Sequence, residues 1–395
     1  MKILLVHNRY QQRGGEDSVF DAELELLSGH GNDVVPLLVT NDDVRGAVAK
    51  LRVASGTIYS PFGVRRVRQE IRAHRPDVMH VHNYFPRLSP YIFREAHRQQ
   101  VPTVHTLHNY RPICPSANLL VDGVINESSI EKSAFHMVGK RVYRGSYLGT
   151  AVVAAMVEFH KWRATWQRDV DAFVALTEFA RSKFVQAGFP QARIHVKPNF
   201  LPNSKLAGLP ASRQAERREG ALFVGRLSSE KGITTLLEAW REIDYPLTLA
   251  GGGATEEMQR SAPPHAVFVG ELPREHILEL MHGAAFLVMP SEWYEGFPVT
   301  LVEAYMCGLP VVASDIGSLG ELVVHQATGL KFSPGDPDAL RVAVRQMLAL
   351  GDDGRAKLGA YARKIAQERY SEEKNLSRLI EIYEKAQRVF WGGSG

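Results

Sequence analysis

The sequence predicts an α/β chain built as two Rossmann-like, doubly wound domains, and three observations carry that prediction. Short runs rich in Val, Ile and Leu alternate with helical patterns along the whole length, as in parallel strands covered on both faces. The runs form two series separated by residues 201–220, "LPNSKLAGLPASRQAERREG", a polar stretch with Pro, Gly and Ser and no sustained periodicity. The 395 residues are 45% hydrophobic and 23% charged, which suits a soluble chain with two separate cores.

In the first series, strands are expected at "KILLVHN" (from Lys2), "DVVPLLV" (Asp33), "DVMHVHN" (Asp77), "PTVHTLH" (Pro102), "AFVALT" (Ala172) and "RIHVKPN" (Arg193). In the second they are expected at "ALFVGR" (Ala221), "LTLAGGG" (Leu247), "AVFVGEL" (Ala266), "AFLVMPS" (Ala285), "LPVVASD" (Leu309) and "TGLKF" (Thr328). The predicted domains are therefore 1–200 and 221–370, joined by the linker 201–220. A helix over 371–391 follows, with Leu376, Leu379, Ile380 and Tyr383 on one face, and "GGSG" at 392–395 is set aside as linker. Sheets of this kind bind ligands at the carboxyl ends of their strands, so the domains are expected to face each other across a central cleft.

Two segments depart from the alternation. Residues 109–146 form a long irregular excursion after the fourth strand, a length that usually signals function. The helix after it, read to about Val170, has Trp162 and Trp166 one turn apart among Lys161, Arg163 and Arg168. Such a face suits a bilayer surface or, equally, a core.

Charge and composition narrow the function classes. The net charge is +4, with the basic excess in the first 200 residues and a slight acidic excess after them. The first half is thus expected to meet anionic surfaces or substrates, although the basic helix Arg65 to Arg75 also reads as a solvated face. No apolar run reaches the roughly 18 residues of a membrane span, and "MKILLVHNRY" lacks the apolar core of a secretory signal. Cys114 and Cys307 provide neither a metal spacing nor a disulfide framework, which points to the cytoplasm. No nucleic-acid module is recognisable, and "HNRYQQRGGED" after the first strand lacks the Gly-x-Gly-x-x-Gly turn of dinucleotide enzymes.

The chemistry concentrates in "SEWYEGFPVTLVEAYMCG", where Glu295 and Glu303 bracket a Gly296-Phe297-Pro298 turn. Pro298 fits the first position of a helix that runs to Met306 and stops at Gly308. The N–H groups of Phe297, Val299 and Thr300 would then lie at a helix N-terminus, ready for an anion or sugar hydroxyls. Glu295 would be a loop carboxylate at that mouth; Glu303, one turn on, could accept two bonds from a vicinal diol such as ribose or simply stabilise the helix start. In "LFVGRLSSEKG", Arg226 follows the strand ending at Gly225, and Lys231 and Gly232 open the next helix. A guanidinium fork and an ammonium converging on one mouth suit a diphosphate, with a surface pair between Arg226 and Glu230 as the alternative. The run Gly251, Gly252, Gly253 allows a backbone or a ligand to approach closely.

These residues, in this order, resemble the retaining glycosyltransferases of family 4, which have the GT-B fold. The matches are "GR" and "EKG" (Gly225, Arg226, Glu230, Lys231, Gly232), "AGGG", and the Glu-x7-Glu motif with its "EGFP" turn and "EAxxxGxPVVAS" continuation. The resemblance covers essentially the whole chain and implies a C-terminal helix that returns to the N-terminal domain. It implies that Arg226 and Lys231 bind the donor diphosphate, Glu295 the donor-sugar hydroxyls and Glu303 the ribose, with Gly225, Gly252 and residues 296–300 completing the donor site. "RGGED" resembles the family's glycine loop, where Gly14 and Gly15 approach donor phosphate and acceptor. "HTLHNYRPICP" resembles the segment whose histidine, here His108, faces the donor sugar. Asn8, Arg13, His82, Asn83, Tyr110 and Arg111 are then the expected acceptor-side residues, with His105 a weaker candidate inside its strand.

The implied reaction moves a sugar from a nucleotide diphosphate sugar to a glycan or lipid-linked acceptor with retained configuration and no metal or other cofactor. Front-side attack, with the leaving phosphate taking the acceptor proton, needs no protein base. Rival readings are a phosphorylase, an epimerase or a non-catalytic nucleotide-sugar-binding subunit. An anionic membrane at the inner face of the cell is an expected partner through the basic first half; nucleic acid is not. The Asp-x-Asp strings at Asp169/Asp171 and Asp336/Asp338 are read as chance. Relatives with this layout often have further cysteines in the loop, whereas this chain has Asn126, Ser129 and Val142 at those positions.

Overall fold

A computed structural model describes residues 1–9, 14–40, 56–203 and 218–392. Arg13, most of the expected linker 201–220 and residues 393–395 lie outside the described residues. The chain divides into two compact units, Met1–Asn199 with Asn375–Gly395, and Phe200–Lys374.

The first unit is a six-stranded parallel sheet in the order β2-β1-β3-β4-β7-β8. Its strands are β1 Lys2–Asn8, β2 Asp33–Val39, β3 Val78–Asn83, β4 Thr103–Leu107, β7 Ala172–Ala175 and β8 Ile194–Val196. Ile3 to Val6 are fully buried, as expected of a strand covered on both faces. One covering element is the C-terminal helix Glu372–Gly392, whose Leu379, Ile382, Tyr383 and Ala386 pack with Ile3, Val78, Val104 and Val174. The strand order reverses between β1 and β3, a switch point of the kind at which such sheets bind ligands.

The second unit repeats the design in the order β11-β10-β9-β12-β13-β14, all parallel. The strands are β9 Ala221–Val224, β10 Leu247–Ala250, β11 Ala266–Gly270, β12 Phe286–Met289, β13 Val311–Ser314 and β14 Gly329–Phe332. Here the switch point falls between β9 and β12. Phe223, Leu249, Phe286 and Val312 pack against Leu236, Leu340 and Val344 of the covering helices.

Two expectations need correction, those for the helix with two Trp residues and for the excursion 109–146. The helix with two Trp residues ends at Trp162; the chain turns through Ala164 at φ 52° and resumes as Thr165–Arg168. Trp166 is 3% exposed and stacks on Phe189 at 5.5 Å, whereas Trp162 is 81% exposed, so the two do not share a face. The excursion 109–146 is not irregular throughout. It contains an antiparallel pair, β5 Leu120–Val121 and β6 Val124–Ile125, and a 3-10 helix, Ala134–Lys140. The loop is held by Glu158 accepting from the Ala134 N–H at 2.6 Å and by Lys183 paired with Glu127 at 2.8 Å. Both Asp-x-Asp strings have structural tasks: Asp336 caps the helix Pro337–Ala349, and Asp171 accepts from the Thr103 N–H at 2.8 Å and faces His97 at 2.9 Å. The basic helix Pro61–His74 buries Val64, Val67 and Ile71, and Arg68 pairs with Glu95 at 2.7 Å.

Candidate active site

In the second unit the site grows from the carboxyl ends of β9 and β12. After β9 the chain passes through Gly225 and Arg226 into a short 3-10 turn, Ser229–Lys231, ended by Gly232. Gly232 sits at φ 72°, and a Cβ there would stand 1.8 Å from the Pro290 carbonyl oxygen, so only glycine lets this turn lie against the end of β12. That close approach brings Lys231 to the loop after β12. Its Nζ donates to Glu295 Oε1 at 2.6 Å, and Ser291 Oγ donates to the same oxygen at 2.7 Å. The Lys231 ammonium also lies 5.4 Å from the centre of the Trp293 ring. Among the described residues, the one hydrogen bond of its ammonium is that to Glu295.

Arg226 is directed to solvent, 65% exposed, and donates to Glu230 at 2.6 Å, the surface pair given as the alternative for this residue. Glu303 lies in the helix Val299–Met306, where Arg274 Nη2 stands 2.9 Å from its Oε1. Pro298 occupies the N-cap, with φ −74° and ψ 109°, rather than the first helical position. The Leu301 N–H donates to the Pro298 carbonyl at 3.0 Å and closes the first turn. Phe297 is buried against Tyr370, ring centres 5.5 Å apart. The close approach around Gly251 is to protein: a Cβ there would meet the Gly225 carbonyl at 1.9 Å, and one on Gly252 would meet Glu271.

In the first unit, Gly14 precedes the helix Gly15–Gly29, and the Asp17 carboxylate accepts from the Gly14 N–H at 2.8 Å. Asp17 also takes a 2.8 Å hydrogen bond from buried His7, whose imidazole burial lowers to about 4. Gly14 has φ −121°, and no described atom lies within 4 Å of a Cβ built on Gly15. Neither described packing nor a left-handed backbone requires glycine at these two positions.

His108 follows β4 and, with Asn109 and Arg111, lines a small open recess. Its Nε2 is 3.0 Å from His82 Nδ1. His82 is buried, with its other ring nitrogen 3.2 Å from Glu23 Oε2, so both of its nitrogens face protein groups rather than an acceptor. Glu23 also accepts from Lys197 at 2.7 Å. Burial pushes the Glu23 carboxyl up, but Lys197 and then His82 more than offset it and hold it well below the usual carboxylate range. Burial lowers the His108 imidazole well below its ordinary value, so it is neutral at pH 7.

The remaining acceptor-side expectations have structural tasks. The Asn83 amide donates to the Asn8 carbonyl at 2.9 Å, and Asn8 Oδ1 accepts from the Arg87 N–H at 3.1 Å; both side chains are buried and tie β1 to β3. Tyr110 is buried and stacks on Phe184 at 5.6 Å. Arg111 donates to the Pro115 carbonyl and lies 4.7 Å over the Phe85 ring, although it still borders the recess. His105 is buried, with Nδ1 on the Val81 carbonyl at 2.9 Å.

Sequence reasoning missed Glu23, Lys197, His80 and Arg274. Glu23 carried a signal: it stands one turn after Val19 and Phe20 on the buried stripe of its helix, where an acid demands a partner. Glu23, His80 and His82 bring potential metal-ligand atoms within 4.8 Å of one another. The Lys197 ammonium already supplies the positive charge there, and His80 uses Nδ1 on Tyr383 at 2.9 Å and Nε2 on Thr106 at 2.7 Å, so the donor set does not suit a cation.

Comparison with known proteins agrees with the fold and with the motifs. Residues 21–204 match the model of Glycosyltransferase Family 4, and residues 209–365 that of Glycosyl transferases group 1. The chain is 38% identical over 138 residues to glycogen synthase of Mycobacterium tuberculosis, covering 32% of this chain and 33% of that one. It is 29% identical over 239 residues to the GDP-mannose-dependent alpha-(1-6)-phosphatidylinositol monomannoside mannosyltransferase of Mycolicibacterium smegmatis, covering 54% and 62%. The matched regions thus span from a third to under two thirds of these curated relatives. Among solved structures, Anabaena HepE in complex with UDP superposes with a TM-score of 0.66 at 18% identity, over 97% of this chain and 100% of that one. Both sheets, their switch points and the two adjoining family matches lead to one conclusion: the chain belongs to glycosyltransferase family 4 and has the GT-B fold.

Proposed function

We propose that the protein transfers a sugar from a nucleotide diphosphate sugar to a hydroxyl of a glycan or lipid-linked acceptor, with retention at the anomeric carbon. The observation that carries this reading is the convergence of Lys231 and Glu295 at the switch point of the second sheet, 2.6 Å apart, beside the helix start that leads to Glu303. Lys231 and the exposed fork of Arg226 bind the diphosphate, and Glu295 accepts hydroxyls of the donor sugar. Glu303 accepts the ribose diol, which competes with Arg274 for the carboxylate. In the first unit, Gly14, Gly15 and His108 are the substrate-facing groups.

Negative charge grows on the departing diphosphate as the glycosidic bond stretches, so cations fixed beside it stabilise the transition state more than the ground state. The acceptor attacks from the face the diphosphate is leaving, and the leaving oxygen takes its proton. Arg226 and Lys231 supply the countercharge, so turnover is expected to survive EDTA.

A lipid-linked acceptor is favoured by exposed large apolar side chains of the first unit, Tyr147, Leu148 and Trp162 of one helix and Phe135, with Arg141 5.2 Å from the Tyr147 ring. Among the described residues no helix is long and apolar enough to cross a membrane. The proposed association is peripheral, at an anionic cytoplasmic face. Co-sedimentation with anionic vesicles that is lost in high salt supports it; binding indifferent to lipid charge refutes it.

The test of the activity is nucleoside diphosphate release from a panel of UDP-, GDP-, ADP- and dTDP-sugars, with and without acceptor, beside Glu303→Ala. Release from one donor that is lost in the variant, with a product of unchanged anomeric configuration by NMR, supports the reading. An inverted product refutes retention, and conversion without an acceptor identifies an epimerase or hydrolase.

A further inference from the structure

We infer that Glu23 and His82 are positioning residues that fix His108 in the tautomer with its proton on Nε2, leaving Nδ1 as an acceptor for a substrate hydroxyl. The inference rests on the reading of His108 as substrate-facing; the bonding chain that leads to it is read from the first unit alone.

The argument starts at Lys197. This fully buried lysine donates to Glu23 Oε1 at 2.7 Å and to Asn375 Oδ1 at 3.0 Å, so the positive charge and the carboxylate neutralise each other inside the fold. An ionised carboxylate only accepts hydrogen bonds. The ring nitrogen facing its other oxygen, His82 Nε2 at 3.2 Å, must therefore carry a proton, since two lone pairs at that distance repel. The contact lacks the alignment of a full hydrogen bond, but its polarity is set by the carboxylate.

The His82 and Glu23 side chains are both shut off from water, and Lys197 already meets the Glu23 charge, so the arrangement with the fewest buried charges has one proton on His82, on Nε2, with Nδ1 as an acceptor. His108 Nε2, 3.0 Å away, is the group that donates to it. A neutral His108 has no second proton, so Nδ1 carries a lone pair. The hydrogen bonds described for the His108 side chain involve Nε2 alone, and the ring borders the recess with Asn109 and Arg111. A substrate met at Nδ1 must donate; a hydroxyl does, whereas a deoxy or O-methyl sugar at that position does not.

The test uses the full chain labelled with 15N-histidine, with two-bond 15N–1H spectra recorded at pH 7 and His108 assigned from its disappearance in His108→Asn. The expected result is a protonated Nε2 and an unprotonated Nδ1 on His108, and a neutral His82. A proton on Nδ1 of His108, or a doubly protonated His82, overturns the inference without recourse to activity.

Glu23→Gln then reverses the chain: the Gln oxygen must serve Lys197, its NH2 donates to His82 Nε2, and the proton on His108 moves to Nδ1. With an active donor, kcat is expected to fall about 10–100-fold, with nucleoside diphosphate affinity unchanged by calorimetry. His82→Gln offers one donor and one acceptor in place of the ring and should retain most of the activity that His82→Leu loses. A reversed tautomer with unchanged kcat overturns the positioning role. If no donor is turned over by the wild type, the functional reading fails while the spectrum still decides the tautomer.

Discussion

Replacing Lys231 by alanine separates the two tasks assigned to it. The Glu295 side chain is 7% exposed and that of Lys231 24%, and the ammonium and Ser291 Oγ meet on the same carboxylate oxygen. Stripping the partner from a buried ion pair costs about 3–5 kcal/mol, whereas an exposed pair is worth no more than about 1 kcal/mol. The partial exposure of Lys231 puts the expected loss between these, at roughly 2 kcal/mol, or about 4–8 °C in Tm for a domain of this class. The double variant Lys231→Ala/Glu295→Gln removes the stranded charge and keeps the Ser291 bond, so it should recover at least about 1 kcal/mol. Activity should not recover, because the diphosphate still lacks its cation, and kcat stays about 10²–10³ below wild type in both variants. Urea unfolding and nucleoside diphosphate release on the same preparations read the two effects. A double variant less stable than the single one refutes the coupling, and near-normal turnover in either refutes the diphosphate assignment.

Three further outcomes follow from the geometry. Gly15→Ala should leave stability unchanged or raise it by up to about 1 kcal/mol, because the added methyl meets no described atom, while the donor KM rises at least about tenfold. An unchanged KM removes the glycine loop from the site. Trp162→Ala should change stability by less than about 0.5 kcal/mol yet weaken binding to anionic vesicles, whereas Trp166→Ala should cost about 3–5 kcal/mol. Equal effects in denaturation would contradict the break in the helix at Ala164. Burial lowers His105 and His160 to about 4 from the usual 6.5, so the folded form refuses protons that the unfolded chain accepts. Their contribution is complete above pH 6.5 and lost as the pH falls toward 4, by about 1.4 kcal/mol per pH unit for each histidine. Urea unfolding at pH 7.5 and 5.5 measures the difference, and equal stabilities would show that these rings are protonated in the folded state.

The parts of this protein legible in its sequence are those that depend on neighbours along the chain. Alternating apolar runs marked all twelve strands of the two parallel sheets, since a strand buried on both faces must be apolar throughout. The Glu-x7-Glu and Gly-Arg/Glu-Lys-Gly spacings marked the ends of β12 and β9, where short connections leave side chains little choice of place. Tertiary structure alone decided which of those groups meet. Lys231 reaches Glu295 because Gly232 allows one loop to lie on another, and Glu303 meets Arg274 because the helices on either side of β12 come together. It also decided that Asn8, Asn83 and Tyr110 serve the fold, and that Glu23, His82 and Lys197 form one buried chain from positions far apart in sequence. A carboxylate inside a core is stable only beside its partners, and the sheet order that brings those partners together is not a local property of any segment.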